Sequence, residues 1–146
     1  MRSASIALAT LAAFALAAPG HASPPPDWSH VADVDTIQIQ LTDAEGAKVD
    51  RTIWLVVHGG QGYIRAGGGS GWDANVDAVP DVTVRIGEVS YELRAMRIPE
   101  GPLYEAVMTS MRKKYGMQDV LLSPIRFFGG APRILRLDAR AGMPLP

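Results

Sequence analysis

Cysteine is absent from this chain of 146 residues. That excludes disulfides, thiol catalysis, iron–sulfur clusters and cysteine-based zinc sites, so the core must hold the fold by itself. Histidine is scarce, at positions 21, 30 and 58 only. No pair has the close spacing that builds a histidine metal site. His58 reads as a turn or hydrogen-bonding residue at the end of a strand-like run. No basic block breaks the near-neutral balance of 14 Lys+Arg against 15 Asp+Glu, so there is no electrostatic footprint for nucleic acid. The longest apolar run, residues 6–18, has 13 residues. A membrane span needs about 20.

That run has a different use. Arg2 precedes it, Pro19 and Gly20 end it, and a small-residue site closes at Ala22. This is the tripartite pattern of a secretory signal peptide over residues 1–22, with cleavage after Ala22 and a periplasmic or secreted product. No twin-arginine pair is present, which points to general secretion of an unfolded chain. Loss of Arg2 moves the formal net charge from −1 to −2. Residues 23–30 carry three successive prolines after Ser23 and read as an extended lead-in. One domain is expected over 31–146, long enough for its own core.

Within it, "DTIQIQLT" (35–42) alternates apolar and polar residues with the period of a half-buried strand. "RTIWLVVH" (51–58) is almost continuously apolar, as a strand covered on both faces would be. "GGQG" (59–62) then turns the chain into "YIRA" (63–66), which makes a hairpin. "DVTVRIG" (81–87) and "VSYELRAMRI" (89–98) predict a second hairpin. "LYEAVMTSMRKKYG" (103–116) places Tyr104, Val107, Met108, Met111 and Tyr115 on one helical face. Pro102 suits its first turn and Gly116 its end. The connection over 117–132 carries an exposed-looking pair, Phe127–Phe128. "RILRLDAR" (133–140) predicts a last strand, with Ile134 on the face opposite Leu135 and Leu137. Six strands, a short helix over 73–80 and one longer helix predict a mainly β fold. It is an antiparallel sheet curled into a small barrel with the helices packed outside.

The chemistry-bearing stretch is "GYIRAGGGSGW" (62–72). Gly67, Gly68, Gly69 and Gly71 can adopt positive φ and expose backbone N–H groups, which makes an anion-binding nest possible. Arg65 would supply charge, Ser70 a hydroxyl and Trp72 a flat face, and a short helix capped by Asp73 would follow. The stretch matches neither a P-loop nor a dinucleotide fingerprint, and it is not a nucleophile elbow. It holds one arginine and no second cation. Asp73 stands beside it, and would repel a phosphate unless it served only as a cap. The other reading of the same residues is a surface loop whose Trp72 caps the core.

The order of pieces in "RTIWLVVHGGQGYIRAGGGSGWDANVDAVPDVTVRIGEVSYELRAMRI" (51–98) resembles the pyridoxamine-phosphate-oxidase-like, flavin- and deazaflavin-binding split-barrel superfamily. It looks closest to the deazaflavin-dependent nitroreductase branch. The resemblance implies a six-stranded split barrel, usually a homodimer, that binds FMN or a deazaflavin with the phosphate near the glycine loop. It makes Arg65, Gly68, Gly69, Ser70 and Trp72 the cofactor-side candidates. The implied activity is hydride transfer to an unknown small substrate. The alternative is a cofactor-free exported split-barrel module that binds a small apolar ligand or a protein partner.

Overall fold

The computed structural model describes residues 24–67, 69–116 and 130–140. The expected signal peptide, Gly68 and the Phe127–Phe128 pair lie outside the described residues. A 3₁₀ turn, Trp28–Val31, leads into β1 (Thr36–Thr42), β2 (Lys48–His58) and β3 (Gln61–Ala66). Next come α1 (Trp72–Ala78), β4 (Asp81–Ile86), β5 (Val89–Arg97), α2 (Pro102–Tyr115) and β6 (Arg133–Ala139). The strands close in the order β1-β2-β3-β6-β5-β4. β4 pairs back onto β1, and every pairing is antiparallel. The barrel expected from the alternation is therefore present.

Strand alternation builds two cores. Ile39, Leu55, Ile64, Val84, Leu93 and Leu135 point inward and are essentially inaccessible to solvent. Trp72 and Val76 of α1 join them, and α1 packs on β1 and β5. The outward residues Val56, Tyr63 and Ile134 instead meet α2, whose buried face is Tyr104, Val107, Met108, Met111 and Tyr115. Ile134 thus lies in the outer cluster while Leu135 and Leu137 lie in the inner one. Fully burying each large aliphatic side chain stabilises by about 1.5–3 kcal/mol.

Two turns depart from expectation. The β2–β3 turn is only Gly59–Gly60, with φ of 56° and 74°. Two successive left-handed residues form the hairpin turn that matches strand twist, and glycine adopts them without strain. The N-cap of α1 is Gly71, not Asp73. The chain enters that helix with φ 71° at Gly71, and the Asp73 side chain is drawn away to other partners. Within the stretch read as a lead-in, Trp28 is buried in the inner core, where its ring lies against Gly62.

Candidate functional site

The glycine loop joins β3 to α1, and it is held both by contacts of its own and from β6. Ser70 N–H and Ser70 Oγ both donate to Gly67 O, at 3.0 and 2.8 Å. Asp73, in the first turn of α1, is only 2 % exposed. Arg133, at the start of β6, donates Nη2 to Asp73 Oδ1 at 2.6 Å and Nε to Oδ2. Arg133 Nη2 also reaches Gly67 O at 3.2 Å. Arg97, at the end of β5, adds Nη2 to Asp73 Oδ2 at 2.8 Å and pairs with Asp77 at 2.5 Å. Burial pushes the Asp73 carboxyl up, but the hydrogen bonds and charge of Arg133, with Arg97 behind it, outweigh this and hold it below the usual carboxylate range. The second cation missing from the loop sequence therefore arrives from β6, already matched to a carboxylate.

Arg65 leaves the loop altogether. Alternation turns Ile64 and Ala66 into the barrel and Arg65 outward, toward α2, where it is 9 % exposed. Its guanidinium carbon lies 5.6 Å from the Trp54 ring centre. Trp54 stacks on Tyr115, with ring centres 4.4 Å apart and planes 9° from parallel. The Lys114 ammonium lies 5.4 Å from the Tyr115 ring centre. Such cation–ring contacts contribute about 0.5–2 kcal/mol each, more when desolvated. Lys114 Nζ donates to Ala32 O, Val34 O and Leu55 O at 3.0, 2.5 and 3.0 Å. Tyr115 Oη donates to Asp35 O at 2.6 Å and approaches Leu55 O. These two residues clamp the chain entering β1 onto the middle of β2.

The remaining candidates divide. Trp72 is a core side chain, so of its two readings the structure matches the cap on the core. Gly69, Ser70 and Gly71 are exposed. His58, which closes β2, pairs through Nδ1 with Ser110 Oγ of α2 at 2.9 Å, so it is a hydrogen-bonding residue. Arg97, Arg133 and Ser110 had no local signal in the sequence. Their partners lie 24, 60 and 52 positions away.

These positions test the fit of a flavin phosphate at the loop. The anchor would need the guanidinium of Arg65, a donated hydroxyl from Ser70 and an open face of Trp72. Arg65 lies under α2, the Ser70 hydroxyl donates to Gly67 O, and Trp72 is buried. The arginine pair beside the loop already holds a carboxylate. The side chains of Arg65, Ser70 and Trp72 do not converge on a phosphate, and the loop is exposed at Gly69, Ser70 and Gly71.

No protein-family model matches the sequence, and no curated protein matches it. Solved structures do match its shape. The haem storage protein HutZ from Vibrio cholerae is 15% identical with a TM-score of 0.57, over 74% of this chain and 83% of that one. The F420-H2-dependent reductase FDR-A is 18% identical with a TM-score of 0.54, over 72% and 95%. A pyridoxamine 5′-phosphate oxidase candidate from Listeria innocua is 13% identical with a TM-score of 0.55, over 75% and 86%. At these identities the likeness speaks for the fold alone: this chain has the split-barrel fold of the pyridoxamine 5′-phosphate oxidase-like proteins.

Proposed function

We propose that this chain is an exported split-barrel ligand-binding module that works without a flavin phosphate anchored by its glycine loop. One observation carries the reading. The Asp73 carboxylate occupies the two-armed face of Arg133, the geometry an arginine would offer a phosphate. The fold brings its own anion to the place where a cofactor's anion was expected. Export with cleavage after Ala22 belongs to the same proposal, and so does the homodimer that the split-barrel resemblance implies. The mass of the mature protein and light scattering check these two.

A second reading keeps a specific observation in its favour. The loop backbone at Gly69–Gly71 faces solvent, and the fold is shared with a reductase that uses reduced F420. On that reading the chain is a flavin- or deazaflavin-dependent oxidoreductase held through backbone N–H groups. The cofactor would supply hydride chemistry, and this chain would orient it and exclude water.

The visible spectrum of the protein purified from its exported fraction decides between them. A colourless protein whose melting temperature neither FMN nor F420 raises agrees with the module. Absorbance near about 450 or 420 nm, or a saturable rise in melting temperature with either cofactor, overturns it.

A further inference from the structure

Among the described residues, one stretch of β2 has a strand on one edge only. β1 pairs with β2 as far as Thr36 opposite Trp54, while β2 continues to His58. Leu55 N–H donates to Asp35 O at 3.0 Å, so its polar backbone groups face the β1 side. The two-residue period turns the N–H and C=O of Val57 to the same side, beyond the end of β1. The hairpin register agrees, since His58 and Gln61 flank the two-residue turn and face each other. At this edge lies a cleft of about 380 Å³, lined by Ala32, Val56, Val57, Ser110, Lys113 and Lys114.

The groups in it differ in what they have to offer. Val57 presents one donor and one acceptor in ladder geometry. The Ser110 hydroxyl is held in place by His58 Nδ1. The Lys114 ammonium is committed to three carbonyls. Lys113 is exposed and, among the described residues, has no carboxylate partner. Ala32 and Val56 add a small apolar wall.

We propose that this cleft binds a short carboxylate-terminated peptide or acyl amino acid in extended form. The ligand's amide exchanges hydrogen bonds with Val57 as an added strand would. Its carboxylate meets the Lys113 ammonium, and Ser110 takes a remaining polar group. The volume is near the small end for ligand sites, about 300–1,000 Å³, which limits the ligand to dipeptide size. The proposal supplies a ligand class for the module reading but stands on other residues. Val57 and the glycine loop lie at opposite ends of β3, about 17 Å of strand apart. The spectrum tests the loop and a titration tests the cleft, so either can fail alone.

The experiment is an amide NMR titration of the full chain with N-acetyl-alanyl-alanine and with its C-terminal amide. Saturable shifts centred on Val57 and Ser110 are expected, with the acid binding about tenfold tighter than the amide. Lys113→Ala should remove that tenfold preference and leave the affinity for the amide unchanged. Lys113 is exposed, so the variant keeps the fold. Absence of saturable shifts, shifts centred elsewhere, or equal affinity of acid and amide overturns the proposal. So does an unaltered preference in Lys113→Ala, or inorganic phosphate producing the same shifts at the same affinity.

Discussion

The carboxylate of Asp73 and the guanidinium of Arg133 meet in a two-armed pair across 60 positions of sequence. Their side chains are 3% and 24% exposed. Because Arg133 also bonds Gly67 O, the pair ties both ends of the glycine loop to the first residue of β6. Arg97 ties the same carboxylate to β5. The loop is a fastened connection between β3 and α1, and its fastening residues are charged.

Asp73→Asn should therefore cost stability well beyond a surface change. Removing one partner of a buried pair costs about 3–5 kcal/mol, and the solvent contact kept by Arg133 and Arg97 places this case near 3 kcal/mol. The pH dependence has a definite sign. A carboxyl held below its unfolded value, about 3.9, stabilises fully above that value and loses the effect as pH falls through the folded one. Melting temperatures from pH 7 to pH 3 should fall more steeply below about pH 4 in the parent than in Asp73→Asn.

If Asp73 fills an anion site, emptying the site should make it receptive. Asp73→Ala leaves Arg133 and Arg97 facing the space of a carboxylate. Millimolar inorganic phosphate should then raise the melting temperature of the variant more than that of the parent, by mass action on the folded state. Equal shifts in the two proteins would count against an internal anion. The measurement is thermal unfolding at constant ionic strength with chloride as the control.

Gly62 faces the Trp28 ring so closely that an added Cβ would overlap three ring atoms. Trp28 is itself held in the core, so it has little room to retreat. Gly62→Ala should cost about 1–3 kcal/mol by overpacking. Trp28→Leu combined with Gly62→Ala should be less destabilised than the two single changes imply, because the neighbours couple. Chemical denaturation of the four proteins in the cycle measures this.

The same contrasts show what the sequence could and could not convey. The β4–β5 hairpin was readable because Val82, Val84 and Ile86 alternate with polar neighbours and Gly87–Glu88 turns the chain. The buried face of α2 was readable for the same reason, since periodicity is a local property and each residue of the face lies three or four positions from the next. The glycine loop was readable as a loop, but its chemistry was not. The direction of Arg65 depends on strand phase relative to α2, and the neutralisation of Asp73 depends on β5 and β6 closing beside α1. Trp28 followed three prolines and gave no period at all, yet it packs against a glycine on β3.

Tyr115 gives a final test, at the other end of the pH scale. Its hydroxyl serves Asp35 O and Leu55 O, while its ring stacks on Trp54. Tyr115→Phe keeps the stack and removes the hydroxyl, leaving Asp35 O with the Leu55 N–H and Leu55 O with the Lys114 ammonium, each one donor fewer. The expected cost is about 1–2 kcal/mol near neutral pH. Burial, and then the Asp35 charge, push the phenol well above its ordinary value. A raised folded value stabilises fully below the unfolded value, about 10, and the effect is lost as pH rises toward the folded one. Above about pH 10 the parent should lose stability faster than Tyr115→Phe, narrowing the gap between them. Lys114 acts in the opposite direction, since burial lowers its value, but it is present in both proteins and cancels in the comparison. Denaturant unfolding at pH 7, 9 and 10.5 would read the narrowing directly, and a constant gap would mean that the hydroxyl is not held in the water-poor clamp the structure describes.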